Sequence, residues 1–213
     1  MEKIKSKKYK LTKDLMKQGL KSKFSKNKSW FVKGRKITVN NRMEKNYSYV
    51  LTYKAGTNIT KGGLNTNGKL INYPDFKPAF SPREILNMGS FEGKYCNDQI
   101  FEFPRNWYKL VKLSPERANP SINYFGVKSR QSLQEWIKKK WIPVHKKDRD
   151  VRGWFEWYCR YWLGRRIPEV DIIQIKRWKS FKRHYVQFLK NTKGKAFHPK
   201  RRQMLLQWSY PCI

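Results

Sequence analysis

Apolar and polar positions follow different rhythms in different parts of the chain. In residues 1–40 the apolar positions are too sparse for a continuous helical face, and 14 Lys/Arg stand against two acids, Glu2 and Asp14. A like-charged block of this kind reads as a basic arm. Lys36–Asn40 and Tyr47–Tyr53 (YSYVLTY) are rich in β-branched and aromatic residues with partial alternation. Gly68–Tyr73 (GKLINY) follows the turn-rich KGGLNTNG, in which Asn67-Gly68 suits positive φ. Two or three short antiparallel strands are expected here, with Gly62-Gly63 in a hairpin loop. Pro74, Pro78 and Pro82 then forbid helix and interrupt ladder pairing, so 74–82 reads as an extended connector and the clearest boundary.

From Ser81 onward the period is helical. Ser81-Pro82-Arg83-Glu84 supplies an N-cap, a proline at the first helical position and a capping-box acid for a short helix through Met88, stopped at Gly89. Ser132-x-x-Glu135 opens a second helix carrying Leu133, Trp136, Ile137 and Lys140. The segment 153–164 is apolar nearly all round, with Glu156 and Arg160 its clearly polar positions and Gly164 its closing residue. Pro168 with Glu169 and Asp171 starts the longest helix, about Pro168 to Lys190. On a helical projection Val170, Ile175, Trp178, Phe181, Tyr185, Val186, Phe188 and Leu189 share one stripe, and Lys176, Lys179, Arg183 and Lys190 fall beside it. Acids in its first turn and bases at its end also suit the helix dipole.

The expectation is an α+β fold dominated by helices: a basic arm over 1–40, a short-strand region and Pro-rich connector over 41–80, and a helical basic domain with an aromatic core over 81–213. Composition sharpens this. The 213 residues carry 49 Lys+Arg against 15 Asp+Glu, a formal +34, which self-repels unless a polyanion is near. Aromatic content of 15% supplies the bulk that a disordered basic chain lacks. Cys96, Cys159 and Cys212 are odd in number, far apart and without a CxxC pair, which fits an intracellular, reducing compartment; cytoplasm, nucleus and organelle all suit it. The first twenty residues hold no apolar run of signal-peptide kind, and no stretch is apolar for long enough to span a bilayer. No membrane is expected.

The densest feature is RGWFEWYCRYWLGRR at 152–166, with Trp154, Phe155, Trp157, Tyr158, Tyr161 and Trp162 between arginines. Most of these rings are expected in the core. Arg152, Arg160, Arg165 and Arg166 are expected along the helix's exposed edge, binding phosphate bidentately, with one or two rings left to stack on an unpaired base. Lys176, Lys179 and Arg183, and the cluster Lys200-Arg201-Arg202, extend the basic surface. Residues 129–213 hold 22 Lys/Arg and six acids. These ten side chains are the candidate contacts to nucleic acid, RNA or DNA, in a ribonucleoprotein or DNA-associated complex.

Together with Gln174-Ile175-x-Arg177-Trp178 and Pro199–Trp208 (PKRRQMLLQW), the run Gly153-Trp154-Phe155-x-Trp157-Tyr158-Cys159-Arg160-Tyr161…Gly164-Arg165-Arg166 resembles an uncharacterised protein family with a tryptophan- and arginine-rich core. Phe91–Asp98 (FEGKYCND), Phe103-Pro104 with Trp107, and Tyr124–Val127 share in the resemblance, which spans about residues 81–210. It implies no activity, fold or substrate.

One catalytic alternative is spelled out in the residues. Pro74-Asp75 followed by Glu92-Gly93-Lys94 matches the letters of a PD-(D/E)xK nuclease, in which Asp75 and Glu92 hold Mg²⁺ and Lys94 orients the attacking water. Outside that alternative no cofactor is expected. His145, His184 and His198 are far apart and form no zinc spacing with the cysteines, and Cys159 lies on the aromatic arc and reads as buried. Most acids, Glu92, Asp98 and Glu102 among them, are expected to neutralise neighbouring Lys or Arg.

Overall fold

The computed structural model describes residues 31–95, 97–99, 101–108, 118–129, 133–139, 150–191 and 197–213. Most of the basic arm lies outside these residues, and its final ten are folded. Phe31 is buried, and Lys36–Val39 forms β1. Alternation of KITV buries Ile37 and Val39 on one face, and β2 (Tyr47–Val50) answers with buried Tyr47 and Tyr49 in an antiparallel register that sets Ile37 opposite Tyr49. Asn41 turns the connecting loop, its Oδ1 accepting the Met43 and Glu44 amides.

The second hairpin corrects one expectation. Lys61–Leu64 (KGGL) is strand β3, paired with β4 (Leu70–Asn72), and the turn falls at 65–69 with Gly68 at φ +71°. Gly62 and Gly63 serve close approach instead. A Cβ on Gly62 would lie 2.7 Å from the Tyr73 ring, and one on Gly63 would lie 3.1 Å from Pro168.

Helix α1 (Pro82–Asn87) starts as its sequence dictates. The Ser81 hydroxyl accepts the Glu84 amide while the Glu84 carboxylate accepts the Ser81 amide, and Gly89 follows at φ +69°. Short 3₁₀ turns at Ser90–Gly93, Arg105–Tyr108 and Pro120–Ile122 carry the chain onward. Helix α2 spans Leu133–Lys138; Ser132 and Lys140 lie outside the described residues. Three further helices follow: α3 (Trp154–Leu163), α4 (Pro168–Asn191) and α5 (Pro199–Gln207). The described chain is α+β with helices dominant and two small antiparallel sheets. No described helix is long and apolar enough to cross a membrane.

Helix α3 is the axis of the molecule. Its Trp154, Phe155, Trp157, Tyr158 and Tyr161 are all buried, each contributing roughly 1.5–3 kcal/mol from burial alone. Phe76, from the proline connector, is fully buried among them, its ring centroid 5.1 Å from that of Trp178 and 5.6 Å from that of Tyr161. Stacking runs on from Trp154 to Trp208 (5.0 Å) and from Trp208 to Phe181 on α4 (4.5 Å). Ser209 stitches the connector to the C-terminal end, accepting the Phe80 amide and donating to the Phe80 carbonyl. Residues 74–82 therefore run along the core, sending Phe76 and Pro82 into it while Pro74, Asp75, Lys77 and Ala79 stay exposed. Gly164 closes α3 at φ +113°, and a Cβ there would lie 2.0 Å from the Tyr53 carbonyl oxygen. That close approach lets the Gly164 carbonyl accept the Thr52 and Tyr53 amides, joining the helix end to the strand region.

Candidate nucleic-acid interface

The four arginines expected on an exposed rim are inside the protein. Arg160 and Arg165 are 0% and 1% exposed, and Arg152 and Arg166 are 8% exposed. Arg160 donates to Glu102 (Nε to Oε1, 2.7 Å), Glu44 (Nη2 to Oε2, 2.6 Å) and Asp150 (Nη1 to Oδ1, 3.0 Å). Arg165 donates to Asp150 and to the Tyr47 hydroxyl. Arg152 makes a fork to both Asp98 oxygens, at 2.6 and 2.8 Å, and Arg42 meets the same carboxylate at 3.0 Å. Gln99 donates to Glu156, and Tyr49 to Glu102. Arg166 instead caps backbone, donating to the carbonyls of Tyr161, Lys61 and Asn58. These guanidiniums are buried and held by neighbours within the fold.

The cause is geometric. Arg152, Glu156 and Arg160 are spaced four apart, so they line the one polar strip beside an otherwise apolar helix. Asp98 and Glu102, from the segment between the first two 3₁₀ turns, meet that strip, as the sequence anticipated for acids near the arginines. Glu44, Asp150 and the hairpin tyrosines close it. A buried guanidinium is tolerated only when most of its N–H groups have acceptors; this cluster supplies them at Arg160 Nε, Nη1 and Nη2, while the Arg165 Nε is left without one.

Four guanidiniums, of Arg42, Arg152, Arg160 and Arg165, face five carboxylates, of Glu44, Asp98, Glu102, Asp150 and Glu156, and the titration of the acids reflects this. Burial pushes Asp98 and Asp150 up, but the Arg152 fork with Arg42, and Arg165 with Arg160, outweigh it and hold both below the usual carboxylate range. Glu156 behaves oppositely. Burial raises its carboxyl to about 7 against the pull of Arg160, with the Glu44 charge adding to the rise. Asp171, which accepts the Trp157 indole N–H at 2.8 Å and the Ile167 amide at 2.9 Å, is raised by burial to about 6 despite those bonds.

Internalising these groups sorts charge. Of the eleven described acids seven are buried, and the four exposed ones are Asp75, Glu84, Glu135 and Glu169. Of the 28 described Lys/Arg four are buried and eighteen are exposed. The carboxylates are spent inside, and the surface is left cationic. Lys176, Lys179 and Arg183 are exposed along α4, and Lys200 is exposed at the start of α5. Arg201 is half-buried; Arg202 is half-buried as well and donates to the Cys212 carbonyl at 2.6 Å. Lys182 and Lys190 continue the α4 stripe.

The pair expected to hold Mg²⁺ is split between unlike settings. Asp75 is exposed and paired to Lys179 at 2.9 Å. Glu92 is buried, and its Oε1 accepts the Ser129 amide while its own amide donates to Asn123. Lys94 is half-buried. Among the described residues no group of three or more His, Cys, Asp or Glu side chains is arranged to hold a metal ion. His145 lies outside the described residues, and Cys159 is fully buried.

The rings expected to stack on a base are also placed differently. Those of α3 are buried, Trp162 being half-buried. Two other aromatic side chains are the exposed ones among the described residues: Tyr124 at 55% and Phe197 at 63%. Neither was singled out as a contact from the sequence, since short aromatic stretches in loops carry no periodic signal of exposure, although Tyr124 belongs to the stretch that shares in the resemblance. Comparisons with protein-family models, with curated proteins and with solved structures return no match to this chain.

Proposed function

We propose that this protein binds nucleic acid, RNA or DNA, through its phosphates, by way of the exposed cations of α4 and the start of α5 together with the Lys-rich first thirty residues. The observation that carries the reading is the sorting of charge: eighteen exposed Lys/Arg against four exposed Asp/Glu among the described residues. Solubility alone asks for far less positive charge. A surface with this excess of cations draws polyphosphate at long range and gains affinity by releasing condensed counterions. Lys179 is held by Asp75 only in an exposed pair, which costs little to exchange for a phosphate.

Salt titration of binding tests this. Log affinity for a duplex should fall with log salt at about −0.9 per phosphate neutralised. Replacing Lys176, Lys179 and Arg183 by Gln should weaken binding to many sequences alike and flatten the slope by about one per lost contact. Affinity that stays constant from low to high salt removes the basis of the reading.

A further inference from the structure

We infer that the protein takes single-stranded nucleic acid in preference to duplex, with Tyr124 and Phe197 as the rings on which unpaired bases stack; this rests on the phosphate-binding reading above. Among the described residues the other large aromatic side chains are buried or half-buried, yet these two are more than half exposed. They are not scattered. Both touch Phe125: the Tyr124 ring stands edge-on to it at 5.0 Å and 84°, and the Phe197 ring lies 6.0 Å away at 54°. The three rings form one aromatic group at a single place on the surface.

Its setting is built rather than loose. The Tyr124 amide donates to the Met88 carbonyl at 2.9 Å, and the Asn123 side chain ties the loop back to Val127 and Ser129 at 2.7 and 2.8 Å. The Arg202 guanidinium lies 5.5 Å from the Phe197 centroid and 5.1 Å from that of Phe188. Phe197 stands three residues before Lys200 in sequence, and Lys128 is exposed on the Tyr124 loop. Exposed rings beside cations are what an unpaired strand requires: the cations follow the backbone, and every base offers a flat face to a ring. A duplex keeps its bases stacked on one another and gains nothing from the rings.

The test compares three labelled probes of equal length, about twelve nucleotides: oligo-dT, the same backbone with abasic sites, and a duplex. Binding of the full chain is read by fluorescence anisotropy over a salt series. Oligo-dT should bind about tenfold or more tighter than the abasic strand. Tyr124→Leu and Phe197→Leu keep an apolar side chain at each exposed position; each should lower oligo-dT affinity about tenfold and leave duplex affinity and the salt slope unchanged. If the three probes bind alike and the variants change nothing, the stacking site is wrong while phosphate binding stands. Variants that weaken all three probes equally also overturn it. Failure of every probe to bind in a salt-dependent way sinks both readings. Thermal unfolding of each variant, expected to match the parent, separates lost contact from lost fold.

Discussion

Replacing Arg160 by Met removes the hub of the buried ionic cluster while keeping most of the side chain's length. Arg160 donates to Glu44, Glu102 and Asp150, and its own exposure is 0%. After the change each carboxylate keeps some support: Asn41 for Glu44 (3.2 Å), Tyr49 for Glu102 (3.1 Å), and Arg165 for Asp150. None keeps its main charge partner apart from Asp150. Orphaning one partner of a buried pair costs about 3–5 kcal/mol, against a whole-domain stability of about 5–15 kcal/mol. The loss should therefore reach at least the upper part of that pairwise range. Its pH dependence gives the mechanism away. In the parent, Asp98 and Asp150 are held below the usual range, so the stability they contribute is present above about pH 4 and lost as pH falls. In Arg160→Met the buried carboxylates of Glu44 and Glu102 lose their guanidinium partner, a penalty that falls on the charged forms and is relieved on acidification. The two stability curves should converge toward pH 4–5. Urea unfolding followed by tryptophan fluorescence at several pH values measures this, with Leu205→Ala, a fully buried apolar truncation, as a control whose deficit does not vary with pH. A deficit under about 1 kcal/mol, or one flat in pH, would refute the assignment of these contacts as the centre of the core's electrostatics.

Glu156→Gln probes the neighbouring group whose titration runs the other way. Because burial raises the Glu156 carboxyl to about 7, its favourable contribution is complete below about pH 4.5 and is lost as pH rises toward 7. The variant should match or exceed the parent at pH 8 and show a flatter decline between pH 5 and 8. Asp171, raised to about 6, and His184, lowered by burial, titrate in both proteins and cancel in the difference; identical slopes would mean that Glu156 stays ionised in the fold. Gly164→Ala forces a Cβ to 2.0 Å from the Tyr53 carbonyl oxygen at φ +113°, and should cost about 3 kcal/mol or more, read as a fall in Tm of roughly 6–12 °C for a domain of this size. A shift of a degree or less would show that strand and helix end are free to separate.

Sequence alone determined what depends on neighbours along the chain. The capping box at Ser81 and Glu84, the stop at Gly89, the closing of α3 at Gly164 and the start of α4 at Pro168 are local hydrogen-bonding and steric matters, and they form where the residues say. The burial of an all-round apolar α3 follows from having no polar face to give to water. Tertiary structure decided everything that turns on which groups meet. KGGL becomes a strand because Tyr73 and Pro168 crowd against it, a requirement invisible in a glycine pair that reads equally well as a turn. Asp98, Glu102 and Glu44 come from distant segments to join Asp150 at the Arg152–Glu156–Arg160 strip, so charges that look in sequence like a surface rim are sealed in the core. Local periodicity reports which side of a helix is polar, but only the packing of other segments decides whether that side meets water, a carboxylate or a phosphate.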